Sequence, residues 1–202
     1  MGGMTRLLLL LWAGVTVSTA VDLQKRIIGG QTCGNNERQY HVKLTDIDEN
    51  FICGGSLISD QWILTAAHCW KWGMKAVVGV HPVKQPPPQP VFITAPPVMH
   101  GDEHNKIHDI MLLKLPNPTN IKPVLFPRKD KDYIKITDCK KLNNIVKFYE
   151  DLHPGIWFCG QSPGVDGSHG DSGGGVVNNG KIYGVISYTA ENAVSIEDRQ
   201  HS

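Results

Sequence analysis

Short runs of β-branched and aromatic residues, each closed within a few positions by Gly, Pro, Asn or Asp, recur along this chain at 41–44, 51–58, 62–64, 76–80, 110–115, 175–177 and 181–187. Branching at Cβ stiffens the side chain and suits a pleated, half-buried surface, and the closing residues favour turns. Asn179-Gly180 between two such runs is the dipeptide that a tight hairpin asks for, because both residues accept positive φ. Only Thr137 to Glu150 carries a plausible helical stretch, and 85–90, with Pro86-Pro87-Pro88, reads as an extended surface loop. The expectation is an all-β domain, a barrel or sandwich of short antiparallel strands.

The chain of 202 residues is 41% hydrophobic and 19% charged, enough apolar residue for a real core and far from a disordered composition. Its formal net charge of +1, with no basic stripe, argues against nucleic acid as a partner. Residues 1–20 carry one basic residue, Arg6, then the apolar run Leu7 to Val17 and the small-residue end Ser18-Thr19-Ala20, the pattern of a secretory signal peptide cut after Ala20. A bilayer span needs about 20 apolar residues, so no membrane anchor is expected and the mature chain is expected to be secreted and extracellular. Five cysteines in an exported chain imply disulfides with one thiol left over. Cys53 and Cys69 flank the strand pair that leads into His68 and are expected to pair, closing a loop of about 15 residues worth roughly 3 kcal/mol on the chain-entropy argument. Cys139 and Cys159 are the second expected pair.

Three strings carry chemistry: Thr65-Ala66-Ala67-His68-Cys69, His108-Asp109-Ile110-Met111-Leu112 and Gly170-Asp171-Ser172-Gly173-Gly174. A serine hydroxyl is a poor nucleophile at neutral pH unless an imidazole takes its proton. The imidazole does so well only when a buried carboxylate fixes its tautomer and steadies its charged form. Taken singly, each string reads as a turn, a strand end or a strand cap. In the chain order His68, Asp109, Ser172 they form one of the known arrangements of a nucleophile, a base and an orienting carboxylate.

On these strings the chain resembles the trypsin-like serine proteases of the chymotrypsin fold. The resemblance implies a double six-stranded β-barrel and hydrolysis of peptide bonds, with the backbone N–H groups of Gly170 and Ser172 as the oxyanion hole. It also implies that 21–26 is an activation peptide, with the protease domain spanning 27–202. Cleavage after Arg26, ahead of Ile27-Ile28-Gly29-Gly30, would free the Ile27 amine to pair with Asp171. Asp166, six residues before Ser172, stands at the base of the primary pocket and implies cleavage after Lys or Arg, with Ser187 also on the substrate-binding side. Implied partners are protein or peptide substrates, protease inhibitors and an activating protease, for a chain expected to be a monomer.

The resemblance is weak at 128–138 and 188–202. The family carries a longer stretch with further strands between Pro127 and Cys139, including the partner of the cysteine that Cys33 matches. Ser168 stands where the family has a cysteine, and Thr189 where it has a pocket-wall glycine. The expectation is a truncated or alternatively spliced form with an incomplete second barrel. A second reading is therefore a catalytically impaired protease homologue acting as a protein-binding module. No cofactor is expected. His100, His104 and His108 recur at intervals of four, but Gly101 breaks the helix that such spacing would need, and 80–92 lacks Asp and Glu for a hard cation, so no metal is expected either.

Overall fold

The computed structural model describes residues 27–28, 31, 33–84, 86–102, 107–129, 131, 158–160, 166–167 and 170–187. Among them the chain is built of strands: β1 (Ile27–Ile28), β2 (His41–Thr45), β3 (Phe51–Leu57), β4 (Trp62–Thr65), β5 (Lys75–Val78), β6 (Val91–Phe92), β7 (Val98–Gly101), β8 (Ile107–Lys114), β9 (Asp166–Gly167), β10 (Gly175–Asn178) and β11 (Lys181–Val185). One 3-10 turn, Ala67–Cys69, interrupts them. The stretch 137–150 expected to be helical lies outside the described residues. No helix of the described chain is long and apolar enough to cross a membrane.

Seven strands form one antiparallel sheet in the order β6-β5-β2-β3-β4-β8-β7. The alternation along β2 explains its orientation: Val42 and Leu44 are fully buried while Lys43 between them is partly exposed, as a period of two demands. Val42, Leu44, Leu57, Ile63, Met74, Met111 and Leu113 build the core on this sheet. Each such side chain contributes about 1.5–3 kcal/mol when removed from water. Strand β3 breaks the alternation, with every residue from Cys53 to Leu57 buried. It is covered on both faces because the second half of the molecule lies against it. Gly54 makes that approach possible, since a Cβ there would come within 3.2 Å of the Gly174 backbone.

The second half contributes the two-stranded sheet β10–β11 and strand β9, which pairs with β1 from the start of the described chain. The hairpin β10–β11 turns at Asn179 and Gly180, whose φ values of 48° and 72° are those the dipeptide favours. Ile182 N–H donates to the carbonyl of Leu125 at 2.9 Å and Val124 N–H to that of Leu57 at 2.9 Å, so the segment 124–125 links β11 to the large sheet. Leu64, Val124 and Ile182 form a second, smaller core at this junction.

Candidate active site

Pairing between β4 and β8 is what brings a histidine to a carboxylate 41 residues away. Thr65 lies opposite Met111, so continuing the antiparallel register sets the chain at 67 beside Asp109. The 3-10 turn that follows β4 then presents His68, with its last residue, Cys69, pinned to β3 by the disulfide to Cys53. Their Cα atoms stand 6.1 Å apart, within the usual range for a bridged pair. That pairing matches the sequence expectation. Cys159 is also disulfide-bonded, and Cys139, its expected partner, lies outside the described residues. Cys33 is a free thiol.

Asp109 holds His68 at two points. The His68 amide donates to Oδ1 at 2.8 Å, and its ring Nδ1 lies 2.8 Å from Oδ2. An ionised carboxylate only accepts, so Nδ1 carries the ring proton and Nε2 keeps its lone pair. The Asp109 side chain is 12% exposed against 39% for His68, which leaves the imidazole open toward solvent while its anchor is enclosed. Burial pushes the Asp109 carboxyl up. Hydrogen bonds from the His68 ring, the Ser187 hydroxyl and the His68 amide, together with the charge of His68, outweigh it and hold the group below the ordinary aspartate range.

Ser187, expected on the substrate-binding side, is buried and donates its hydroxyl to Asp109 Oδ2. Sequence reasoning missed this link. Nothing local in a serine that ends a strand signals a partner 78 residues away.

Ser172 sits in a tight turn between Gly170, with φ of 98°, and Gly173, with φ of 77°. The turn is tied on two sides. Gly54 N–H donates to the Ser172 carbonyl at 2.8 Å, and Gly173 N–H donates to that of Ile186 at 2.7 Å. Ser172 and His68 line one open cleft of about 420 Å³ together with Gly170, Phe51, Ile52 and the Cys53–Cys69 bridge. The sequence marks Phe51 and Ile52 only as strand residues, and their place just before Cys53 is the one signal that they line the cleft. Cys53, His68 and Cys69 lie close enough to hold an ion, yet the two sulfurs are joined to each other and offer no thiolate.

The remaining expected residues fall nearby in part. Asp171 is buried at 8% exposure beside Ser172. Strand β1 pairs with β9, with Ile28 opposite Asp166 and Ile27 opposite Gly167, which sets the expected cleavage junction against the expected pocket loop. Arg26, Ser168 and Thr189 lie outside the described residues.

Comparison with known proteins agrees with this architecture. The family model for Trypsin matches residues 27–142. Trypsin-4 of Rattus norvegicus is 32% identical over 213 residues, covering 87% of this chain and 84% of that protein. Anionic trypsin of Canis lupus familiaris is 30% identical, covering 92% of this chain and 87% of its own length. Among solved structures, neuropsin, a serine protease of mouse brain, superposes with a TM-score of 0.59 at 28% identity, covering 79% of this chain and 86% of that one. Strand architecture, family match and relatives agree, and the chain belongs to the trypsin family of chymotrypsin-fold serine endopeptidases.

Proposed function

We propose that this chain is a secreted serine endopeptidase that cleaves after Lys or Arg, using Ser172 as nucleophile, His68 as general base and acid, and Asp109 as the group that orients His68. The observation that carries the reading is the two-point grip of Asp109 on His68, in a cleft that His68 shares with Ser172. Ser172 Oγ attacks the scissile carbonyl carbon while its proton passes to His68 Nε2. The resulting oxyanion is held by the N–H groups of Gly170 and Ser172. Collapse expels the amine, which takes the proton from His68 and leaves an acyl ester on Ser172. Water, deprotonated by the same imidazole, then releases the acid and restores the enzyme. Ser187 supports the cycle by holding the Asp109 oxygen that faces Nδ1.

Under the same reading residues 1–20 are a signal peptide and 21–26 an activation peptide, and 27–202 is a monomeric protease domain. An activating protease cuts after Arg26, and the new Ile27 amine pairs with Asp171. Asp166 supplies the negative charge at the pocket base. The test is covalent labelling of the Arg26-cleaved protein with a fluorophosphonate probe. The parent should label at one site and turn over an Arg-ending ester. Ser172→Ala should lose both, by about a millionfold in turnover. An unlabelled parent with an intact fold would leave a protein-binding homologue in place of an enzyme.

A further inference from the structure

The ladder between β7 and β8 shifts register between Met99, opposite Met111, and Gly101, opposite Ile107, and residues 100 and 108 fall in that irregular stretch. Both positions are histidine. Their ring centroids lie 4.9 Å apart with the planes inclined at 39°. His100 and His108, which make no metal face on a helix, meet instead across a pair of strands. His100 is exposed, whereas His108 Nε2 is buried and has no hydrogen-bond partner among the described residues. A contact between two rings leaves that nitrogen unsatisfied, and buried polar atoms without partners are uncommon enough to require a reason.

We propose that His100 and His108 form a binding site for a zinc-class divalent cation, clamping β7 to β8 one residue before Asp109. Neutral imidazole nitrogen suits zinc, copper and nickel and does not suit calcium or magnesium. Two imidazoles bound to one tetrahedral ion at about 2.0–2.1 Å stand with their centroids roughly 5 Å apart, the separation that this ring pair already has. Solvent reaches the pair from the His100 side and can fill the remaining coordination positions. Asp109, the next residue along β8, is engaged by His68 at both carboxylate oxygens. The ion would therefore brace the strand that carries the carboxylate without entering the cleft.

The experiment is calorimetric titration of zinc chloride into chelator-stripped, folded protein carrying Ser172→Ala, to prevent autolysis, and Cys33→Ser, to remove the free thiol. One ion per chain should bind, and the midpoint of thermal unfolding should rise with zinc, because a ligand of the folded state stabilises it by mass action. His100→Ala and His108→Ala should each weaken binding by at least about tenfold, the lower end of what losing even a supporting group costs a metal site. His81→Ala should change nothing. Should His108→Ala fail to fold, His100→Ala carries the test alone, since His100 is exposed. Undiminished affinity in His100→Ala, or no stoichiometric binding in the parent, overturns the proposal.

Discussion

The Gly54 amide donates to the Ser172 carbonyl at 2.8 Å, so the turn that holds the hydroxyl is fastened to the middle strand of the large sheet. The close approach depends on glycine in both segments, Gly54 on the sheet and Gly173 and Gly174 beside Ser172 in the turn. At Gly173, with φ of 77°, an added Cβ would collide with the Gly54 carbonyl oxygen and the Thr65 hydroxyl, which is itself bonded to that carbonyl.

Gly173→Ala is therefore expected to damage the site and the fold together. The substitution forces an L side chain into the left-handed region and into fixed backbone, each costing on the order of 1–3 kcal/mol. Urea unfolding should show the loss of stability, and fluorophosphonate titration should show loss of the reactive serine. Gly180→Ala serves as the comparison. It meets nothing within 4 Å and has a similar φ of 72°, so it bears the conformational penalty alone. Equal losses in the two variants would mean that the packing of Gly173 against Gly54 and Thr65 contributes little.

Much of this arrangement was legible in the sequence because it is written locally. The strings around His68, Asp109 and Ser172 are contiguous, and the Asn179-Gly180 turn needs only its two residues. Strand cores were legible for the same reason, as at His41–Thr45 and Lys181–Val185. Strands β1 and β9 are two residues each and have no periodicity to read. Strand β7 holds Val98, Met99, His100 and Gly101, of which Val98 alone strongly favours a strand, and it exists because β8 pairs with it. Strand β8 starts at Ile107 rather than at residue 110, since His108 and Asp109 hide its beginning behind polar side chains that face partners. The Ser187–Asp109 bond and the His100–His108 pair belong to strand register, which sequence alone leaves open.

Asp109→Asn should separate orientation from stability. An amide cannot hold the ring with Nδ1 protonated in the same way, and a wrong tautomer costs about 10⁴ in turnover in this chemistry. The acid limb carries the second signature. The folded Asp109 carboxyl ionises below its unfolded value, so its contribution to stability is complete above about pH 4 and is lost as pH falls through the folded pKa. Thermal unfolding from pH 6 to pH 2 should show a steeper decline in the parent than in Asp109→Asn. Other carboxylates, Asp46 among them, act equally in both proteins and cancel. Parallel declines would show that the net lowering at Asp109 is too small to matter.

Ser187→Ala tests the third hold on that carboxylate. Its hydroxyl favours the ionised form of Asp109, so its removal should let the carboxyl rise toward the ordinary range while burial continues to push it up. The acid decline of stability should then move to higher pH than in the parent. Turnover should fall less than in Asp109→Asn, because both bonds from His68 remain. A variant as impaired as Asp109→Asn would mean that Ser187 governs the position of Asp109 itself.

Uncleaved protein should be nearly inert if the Ile27 amine must reach Asp171 before the oxyanion donors are aligned. Loss of one such donor typically costs about 10²–10³ in rate. Arg26→Gln removes the cleavage point and leaves every residue of the domain in place. After treatment with trypsin the parent should gain activity and the variant should not, as followed by ester hydrolysis alongside N-terminal sequencing. Full activity in the intact Arg26→Gln chain would rule out activation by cleavage.

Asp166 offers the sharpest test of specificity, because its strand pairs with β1 and is thereby tied to the proposed activation junction. A carboxylate at the base of a pocket attracts a cationic side chain. It penalises an apolar one, which would leave the charge desolvated and without a partner. Peptide substrates that differ only in the residue before the scissile bond should be cleaved after Arg or Lys by the parent. Asp166→Ser should lose that preference mainly in kcat/KM, and the loss should be larger for Arg and Lys than for Leu or Phe. The thermal midpoint should stay close to that of the parent, since the strand pairing runs through the backbone. A parent that prefers Phe or Leu would reduce Asp166 to a turn residue, as would a variant that keeps its preference for Arg. Specificity would then have to be carried elsewhere in the cleft.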